Sequence, residues 1–452
     1  MDLKEILKNI NKYENKEVHI NGWIRNHRKQ KEFGFIDFFD GTIFESMQIV
    51  YDNSLENFDE ISKIGVGSSI EIKGILKKSD GGKQDYEITA TKVMLLGSCD
   101  ETYPIQPKRH TREFLREQAY LRPRTNLYQA VFRVRSIAAL AIHTYFGERD
   151  YVCFHAPLIT TADCEGAGEA FNVTTLEPSK NIDYKNDFFR KKAYLTVSGQ
   201  LQAETFATAF KKTYSFGPTF RAENSNTKTH AAEFWMIEPE IAFCDLDGDM
   251  EIMEDMLKYV VKYVMDRCKS ELEFLDTFVE KGLLDKLNSL IASNFSKITH
   301  KDAIDLLLNS NVEFEFKPVQ GEDIAKEHEK YLTSHFNGPV FVTNWPKDIK
   351  AFYMKLNDDN KTVAAVDLIV PGAGELMGGS QREENEEALL KRMKEMNVSA
   401  EELYWYVNLR RYGTCVHSGF GMGFERLLMY LTGIENIRDV IPYPRTTNNC
   451  EF

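Results

Sequence analysis

Thr219-Phe220-Arg221-Ala222-Glu223-Asn224-Ser225-Asn226-Thr227-Lys228-Thr229-His230-Ala231-Ala232-Glu233-Phe234-Trp235 is the stretch on which the reading of this chain turns. It joins two β-forming runs, residues 214–223 and 234–243, through a connection short enough for an antiparallel hairpin. A hairpin here favours a mixed or antiparallel sheet over a doubly wound one. Alternate strand residues share a face, so Arg221 and Glu223 are expected to point together, with Phe220 and Ala222 opposite. A lone Arg-x-Glu is more often a surface cross-strand pair. The hairpin, however, returns His230 and Phe234 beside it, and an arginine fork, a second cationic group and an aromatic face together suit phosphates and a base.

Working outward, Leu127, Val131, Val134, Ala138, Ala141 and Tyr145 recur at spacings of four and three, which predicts a long buried helix from Asn126 that stops at Gly147. Strands are expected at 151–154, 193–197, 350–355, 363–370 and 414–419. Residues 250–345, rich in Glu, Lys and Asp, read as a helical insertion on that core. Before the helix, residues 17–97 show five strand-like runs, 18–24, 34–39, 45–51, 69–76 and 86–95, enough for a small closed barrel of the oligonucleotide-binding (OB) type. Trp23, Phe33 and Phe35 lie beside a basic cluster of Arg25, Arg28, Lys29 and Lys31, the mixture that stacks and steers single-stranded bases. The pattern lapses between Gly97 and Pro123. The expected organisation is therefore a barrel over 1–100, a hinge over 101–125 and a larger domain over 126–452.

The chain has 452 residues, with 56 basic and 69 acidic side chains, or −13, which weighs against indiscriminate coating of nucleic acid. No apolar run reaches the ~18 residues of a membrane span. The amino terminus, Met1-Asp2-Leu3-Lys4-Glu5, lacks an apolar signal core, and the seven cysteines form no C-x-x-C pair. A cytoplasmic, reducing setting without a membrane or a zinc ribbon is the expectation.

Two further segments carry chemistry. No G-x-x-x-x-G-K-[ST] loop is present, so nucleotide binding needs another device. Gly419-Phe420-Gly421-Met422-Gly423 is expected to follow a strand and open a helix, with Arg426 in the first turn as a phosphate fork. Between Asp367 and Arg382, Asp367 sits on a predicted strand and Glu375 just before a small-residue turn. Two carboxylates near phosphates suit Mg²⁺. Glu383, Glu384, Glu386 and Glu387, then Lys391, Arg392 and Lys394, follow the order a helix dipole favours and are read as structural.

F-R-A-E with its downstream H-A-A-E-F, and G-F-G-M-G-F-E-R, resemble motifs 2 and 3 of class II aminoacyl-tRNA synthetases; the helix from Asn126 and the strand ending at Pro157 would be motif 1. An amino-terminal OB barrel narrows this to the aspartyl, asparaginyl and lysyl subgroup. The segments GELMGGSQRE, LRRYGT and GFGMGFERLLMYLTGIENIRDVIPYPRT look like its bacterial-type asparaginyl branch. The resemblance implies an α+β fold, an OB barrel plus a catalytic domain of antiparallel sheet flanked by helices. It also implies a homodimer that uses ATP, asparagine, Mg²⁺ and tRNA(Asn). Arg221 would clamp the α-phosphate and the amino-acid carboxylate, with Glu223 also at ATP. Phe234 would stack on adenine, and His230 and Arg426 would hold the γ-phosphate. Glu375, with Asp367, would bind Mg²⁺. Glu165 and Gln200 would meet the α-amino group. Aspartyl enzymes carry a lysine where this chain has Ala203, so Arg382 and Glu204 are expected to read a carboxamide, as donor and acceptor. Phe35 and Gln48, with Arg25 and Arg28, would read the anticodon. Competing readings are an aspartyl enzyme and an inactive nucleic-acid-binding paralogue.

Overall fold

The computed structural model describes residues 1–79, 81, 84–162, 170–177, 182–225 and 227–452. These fall into two compact units, Met1–Ala130 and Val131–Phe452.

The first unit is built on a closed barrel of β1 (Glu17–Lys29), β2 (Phe33–Phe39), β3 (Met47–Asp52), β4 (Ser69–Lys78) and β5 (Tyr86–Gly97), in the order β1-β2-β3-β5-β4. Strict alternation makes it: Val18, Ile20 and Ile24 of β1 point inward with Ile36 and Phe38 of β2, Ile49 of β3, Ile70 and Ile72 of β4 and Ile88 of β5. These buried β-branched and aromatic side chains fill the lumen. The five expected strands are all present; β1 runs well beyond its run of alternation, β2, β4 and β5 slightly beyond theirs, and β3 starts two residues later than expected. Trp23 faces outward, 39% exposed, against the ring of Phe39.

The second unit holds an eight-stranded sheet. In chain order its strands are β6 (Val152–Cys153), β7 (Lys212–Phe220), β8 (Glu233–Ala242), β9 (Ser296–Thr299), β10 (Val340–Pro346), β11 (Thr362–Val370), β12 (Gly374–Gln381) and β13 (His417–Gly423). The spatial order is β9-β10-β11-β12-β13-β8-β7-β6. All neighbours are antiparallel except the outer pairs β6–β7 and β9–β10. The helix Asn126–Gly147 has the expected bounds and buries Val131, Val134, Ala138, Ala141 and Tyr145. The helix Leu246–Arg267 lays Met253, Leu257, Val260 and Val264 inward.

Four expectations are corrected. The segment 250–345 is not solely helical, because β9 and β10 within it join the sheet. Residues 350–355 form no strand; after a 3₁₀ turn at Lys347–Ile349 only Met354 makes an isolated bridge, to Arg382. Arg221 and Glu223 lie beyond the end of β7 at Phe220 rather than on it. The glycines of 374–379 are strand residues rather than a turn, and those of 419–423 lie on a strand rather than after one. Neither cluster reads as strand because Gly has low strand propensity, yet here a floor is needed that no side chain obstructs.

Candidate active site

A cavity of about 370 Å³ opens over the middle of the second unit's sheet, with β12, β13 and β8 as its floor. Gly378 and Gly379 of β12 pair with Gly421 and Phe420 of β13, so two backbones lie bare side by side. A β-carbon on Gly421 would stand 2.9 Å from Met236 Cε, and one on Gly378 would stand 3.3 Å from both Asp367 Oδ1 and Glu375 Oε1. The glycines therefore keep the floor flat and leave the space between two carboxylates open.

Along β8 the residues of period two, Phe234, Met236 and Glu238, line the cavity, and Glu240 continues the row. Arg221 stands at the hairpin mouth, its backbone N–H still bonded to Ala232 O at 3.0 Å, and its guanidinium lies 5.4 Å from the centre of the Phe234 ring. His230 Nε2 is 3.8 Å from Glu223 Oε2, and its Nδ1 bonds Thr227 Oγ1 at 2.5 Å. Arg426 enters from the first turn of the helix Phe424–Thr432 and donates to Glu375 O at 3.2 Å. Its neighbour Glu425 is tied into the pocket wall: Oε1 is 2.8 Å from Arg135 Nη1, and Oε2 accepts from Trp235 N at 2.9 Å. Arg135 comes from the helix Asn126–Gly147, so that helix holds the turn that aims Arg426.

Asp367 and Glu375 flank Gly378, while Lys350 Nζ lies 2.6 Å from Asp367 Oδ2. Burial raises the Asp367 carboxyl to about 7 against the pull of Lys350, with Glu375 pushing the same way as burial. Two converging oxygens of this kind are a donor set for a hard divalent cation.

At the other end of the cavity sits Arg382, which lines the pocket although it is buried. Glu240 grips it from behind through Nε, at 3.1 Å, and Nη2, while Nη1 donates to Ser380 Oγ at 2.7 Å. Gln200, at the start of the helix Gln200–Phe210, lines the pocket and donates through Nε2 to Glu204 Oε1 at 3.3 Å. Glu204 itself does not reach the cavity. It is 0% exposed and bonded by Tyr406 OH (2.9 Å to each oxygen), Arg410 Nη2 (3.0 Å) and His417 Nε2 (2.9 Å). Burial alone would drive its carboxyl up; Arg410 and then His417 more than offset that and hold it down to about 2. The placement expected for Glu204, against a substrate carboxamide, is thus corrected, since its acceptor capacity is spent inside the protein. Glu165 lies outside the described residues.

Glu238 is the pocket carboxylate that the motif reading missed. Buried but lining the cavity, it accepts from Ser198 Oγ, Gly199 N at 3.0 Å and Ser215 Oγ at 3.1 Å. Extending the alternation from Phe234 by two steps would have found it, and one further step Glu240.

In the barrel, Arg28, Phe35 and Gln48 share one outward face. Arg28 pairs with Phe35 across β1–β2, its guanidinium 5.2 Å from that ring, and donates to Gln48 Oε1 at 3.1 Å. Gln48 Nε2 donates to Glu87 Oε2 at 2.9 Å. Arg25 instead lies 4.5 Å over the Phe39 ring.

A closed OB-type barrel in one unit, and in the other an antiparallel sheet with a glycine floor between an R-A-E hairpin and an E-R helix, define a class II aminoacyl-tRNA synthetase. The family described as tRNA synthetases class II (D, K and N) matches residues 111–447, and the OB-fold nucleic acid binding domain family matches residues 18–96. An asparagine–tRNA ligase from Acholeplasma laidlawii is 59% identical, covering all of both chains, and one from Clostridium botulinum is 55% identical, over 100% of this chain and 99% of its own. Among solved structures, asparaginyl-tRNA synthetase from Pyrococcus horikoshii complexed with asparaginyl-adenylate superposes with a TM-score of 0.87 at 30% identity, covering 98% of this chain and 97% of its own. The enzyme from Entamoeba histolytica in complex with asparaginyl-adenylate gives 0.84 at 27%, covering 97% of each chain. The chain belongs to the class II tRNA synthetases of the D, K and N group, and within them to the asparagine–tRNA ligases.

Proposed function

We propose that this protein activates asparagine with ATP to asparaginyl-adenylate and passes the asparaginyl group to tRNA(Asn), releasing pyrophosphate and then AMP. The observation that carries the choice of amino acid is the inner end of the cavity, where a donor fork already matched to a carboxylate, Arg382 on Glu240, stands with the acceptor Glu238. A carboxamide satisfies both, its oxygen taking from Arg382 and its nitrogen giving to Glu238. Aspartate would set an oxygen against Glu238, and position 203, a buried alanine, supplies no compensating charge. Asparagine-dependent ATP–pyrophosphate exchange, run across the twenty amino acids, tests this. Asparagine is expected to be activated and aspartate rejected by at least ~10²-fold. Equal use of aspartate would transfer the assignment to the aspartyl enzyme, and no exchange at all to an inactive paralogue.

No general base is required, because the substrate carboxylate is itself the nucleophile. Its oxygen forms a bond to the α-phosphorus as the α–β bridging bond breaks, and the electron pair leaves with pyrophosphate. Catalysis is then positioning and charge neutralisation. Arg221 holds the α-phosphate and the amino-acid carboxylate, Phe234 the adenine, and His230 and Arg426 the far phosphates, with Glu223 beside His230. Gln200, its Nε2 turned to Glu204, offers Oε1 to the α-ammonium. Asp367 and Glu375 are the residues that would hold Mg²⁺, which supplies charge neutralisation at the phosphates; the open space at Gly378 supports this. Phe35 and Gln48, flanked by Arg28 and Arg25, read the anticodon.

The working unit is a homodimer in the cytoplasm. Half-exposed Leu140, on the helix Asn126–Gly147, and Phe210 support an apolar contact surface. The described cysteines are all free thiols, and no helix among the described residues is long and apolar enough to cross a membrane. Sedimentation at micromolar concentration should give twice the chain mass.

A further inference from the structure

Beside the catalytic pocket lies a second cavity, of about 670 Å³, that shares Thr229, Glu375 and Arg426 with it. These three residues stand at the opposite end of the catalytic pocket from Gln200 and Arg382. Displacement at the α-phosphorus is in line, so the leaving group departs on the side away from the attacking carboxylate. With the amino acid at the Arg382 end, the departing phosphates face Arg426, and therefore the mouth of the second cavity.

The cavity carries both signs, and besides the shared Glu375 and Arg426 it is lined by Glu329, which stands on the helix Lys326–His335 between two lysines. Lys228 is matched by Glu435 at 3.0 Å, and Lys286 by Glu280 at 2.6 Å. Lys326 and Lys330 line the same cavity from the helix Lys326–His335 and form no ion pair among the described residues. Their i,i+4 spacing puts both ammonium groups on one helix face. Glu329 draws on Lys326 through space, yet the lining keeps one more cation than carboxylate, and the two lysines that no close ion pair holds stand beside a leaving polyanion on the route its chemistry dictates.

We propose that this second cavity is a binding and exit site for inorganic pyrophosphate, held by Lys326 and Lys330 after it leaves the catalytic pocket past Arg426. This rests on the adenylate-forming reading above. It places the two lysines outside adenylate formation and inside product release, so by microscopic reversibility they also serve pyrophosphate's return in the exchange reaction.

The test is asparagine-dependent ATP–pyrophosphate exchange with inorganic pyrophosphate varied, on the full chain and on the double variants Lys326→Ala/Lys330→Ala and Lys326→Arg/Lys330→Arg. Both positions are exposed, so folding is preserved. The alanine pair is expected to raise KM for pyrophosphate roughly five- to tenfold, the size of two partly exposed charge-assisted contacts. It should leave KM for ATP and for asparagine, and the single-turnover rate of adenylate formation, unchanged, and the arginine pair should restore KM for pyrophosphate. An unchanged KM for pyrophosphate, or a parallel rise in KM for ATP, overturns the proposal. Absence of asparagine-dependent exchange in the unsubstituted protein overturns instead the reading on which it rests.

Discussion

The barrel face and the catalytic floor both present arginines, acids and rings to a ligand, but they bury them to different depths. On the barrel, Phe33 and Arg28 are exposed and Phe35 and Gln48 half-buried; they are tied by single contacts such as Arg28 to Gln48. Under the catalytic pocket, Arg382, Glu240, Glu204, Arg410 and His417 are all buried, Arg382 bonded to Glu240 and Glu204 to Arg410 and His417. A nucleotide base offers a large π-face that a mobile ring can meet in several poses. An amino-acid side chain that differs from its competitor by one NH₂ offers no such margin, and the groups that read it must be held before it arrives. Discrimination between small ligands is thus bought with buried charge, and adaptable reading of RNA with exposed rings.

The largest effect should come from removing charge at the reacting phosphate. Arg221→Ala is expected to lower asparagine-dependent exchange by roughly 10³-fold or more, the range seen when a transition-state arginine is lost, with tRNA binding retained. Arg221→Lys should recover little, because a point charge does not replace the planar fork. Retained exchange in the alanine variant would remove Arg221 from the site.

Next comes the buried layer. Glu204→Ala leaves Arg410 and His417 without their carboxylate and is expected to cost about 3–5 kcal/mol of stability, measured by urea unfolding. Glu204→Gln tests its pH signature. In the unfolded chain a glutamate titrates near ~4.3, and here it is held down to about 2. The stability it contributes is therefore complete above pH ~4.3 and lost as pH falls toward about 2. Between pH 5 and 3 the unsubstituted protein should lose stability more steeply than the glutamine variant; parallel curves would mean that Glu204 is not ionised in the fold.

On the barrel, Phe35→Ala should weaken tRNA binding by about 1–3 kcal/mol and leave exchange with free asparagine intact. Equal losses in both assays would show that the ring matters to folding rather than to the anticodon.

The same contrast in burial explains what the sequence disclosed. The barrel was legible strand by strand because one face of each strand is buried and the other wet, so hydrophobicity alternates. The hairpin and the E-R helix were legible because Arg221, His230, Phe234 and Arg426 sit close together in motifs. β9 and β10 were not: β9 has only four residues, and β10 is buried on both faces, so its hydrophobicity does not alternate. The surroundings of Glu204 were out of reach of any local pattern, because its partners Tyr406, Arg410 and His417 lie about two hundred positions downstream. Gly378 and Gly379 misled for a physical reason: glycine marks both turns and the places where a strand must lie bare under a ligand.

The smallest effect on activity is expected at a second buried carboxyl, Asp249 of the helix Leu246–Arg267, which lies beneath Gly379, where an added β-carbon would come within 3.0 Å of its Oδ2. Burial, opposed by Arg382, drives this carboxyl well above the usual range, which favours its protonated form in the fold. Glu204 and Asp249 are therefore buried acids shifted in opposite directions, one held down by Arg410 and His417, the other pushed up by burial. Asp249→Asn replaces the titrating carboxyl by a neutral group of the same shape. It should change kcat/KM for asparagine by less than about twofold, well within the ~1.4 kcal/mol of one decade. Its effect on stability has a definite sign. In the unfolded chain an aspartate ionises near ~3.9, so above that pH the native state binds one proton more than the unfolded one, and stability falls as pH rises until the folded carboxyl also ionises. Asparagine removes that slope. The difference in unfolding free energy between variant and unsubstituted protein should move in the variant's favour as pH is raised from 4 to 8. A difference independent of pH over that range would show that burial does not raise the Asp249 carboxyl beneath the floor, and the contrast between the two acids would be lost.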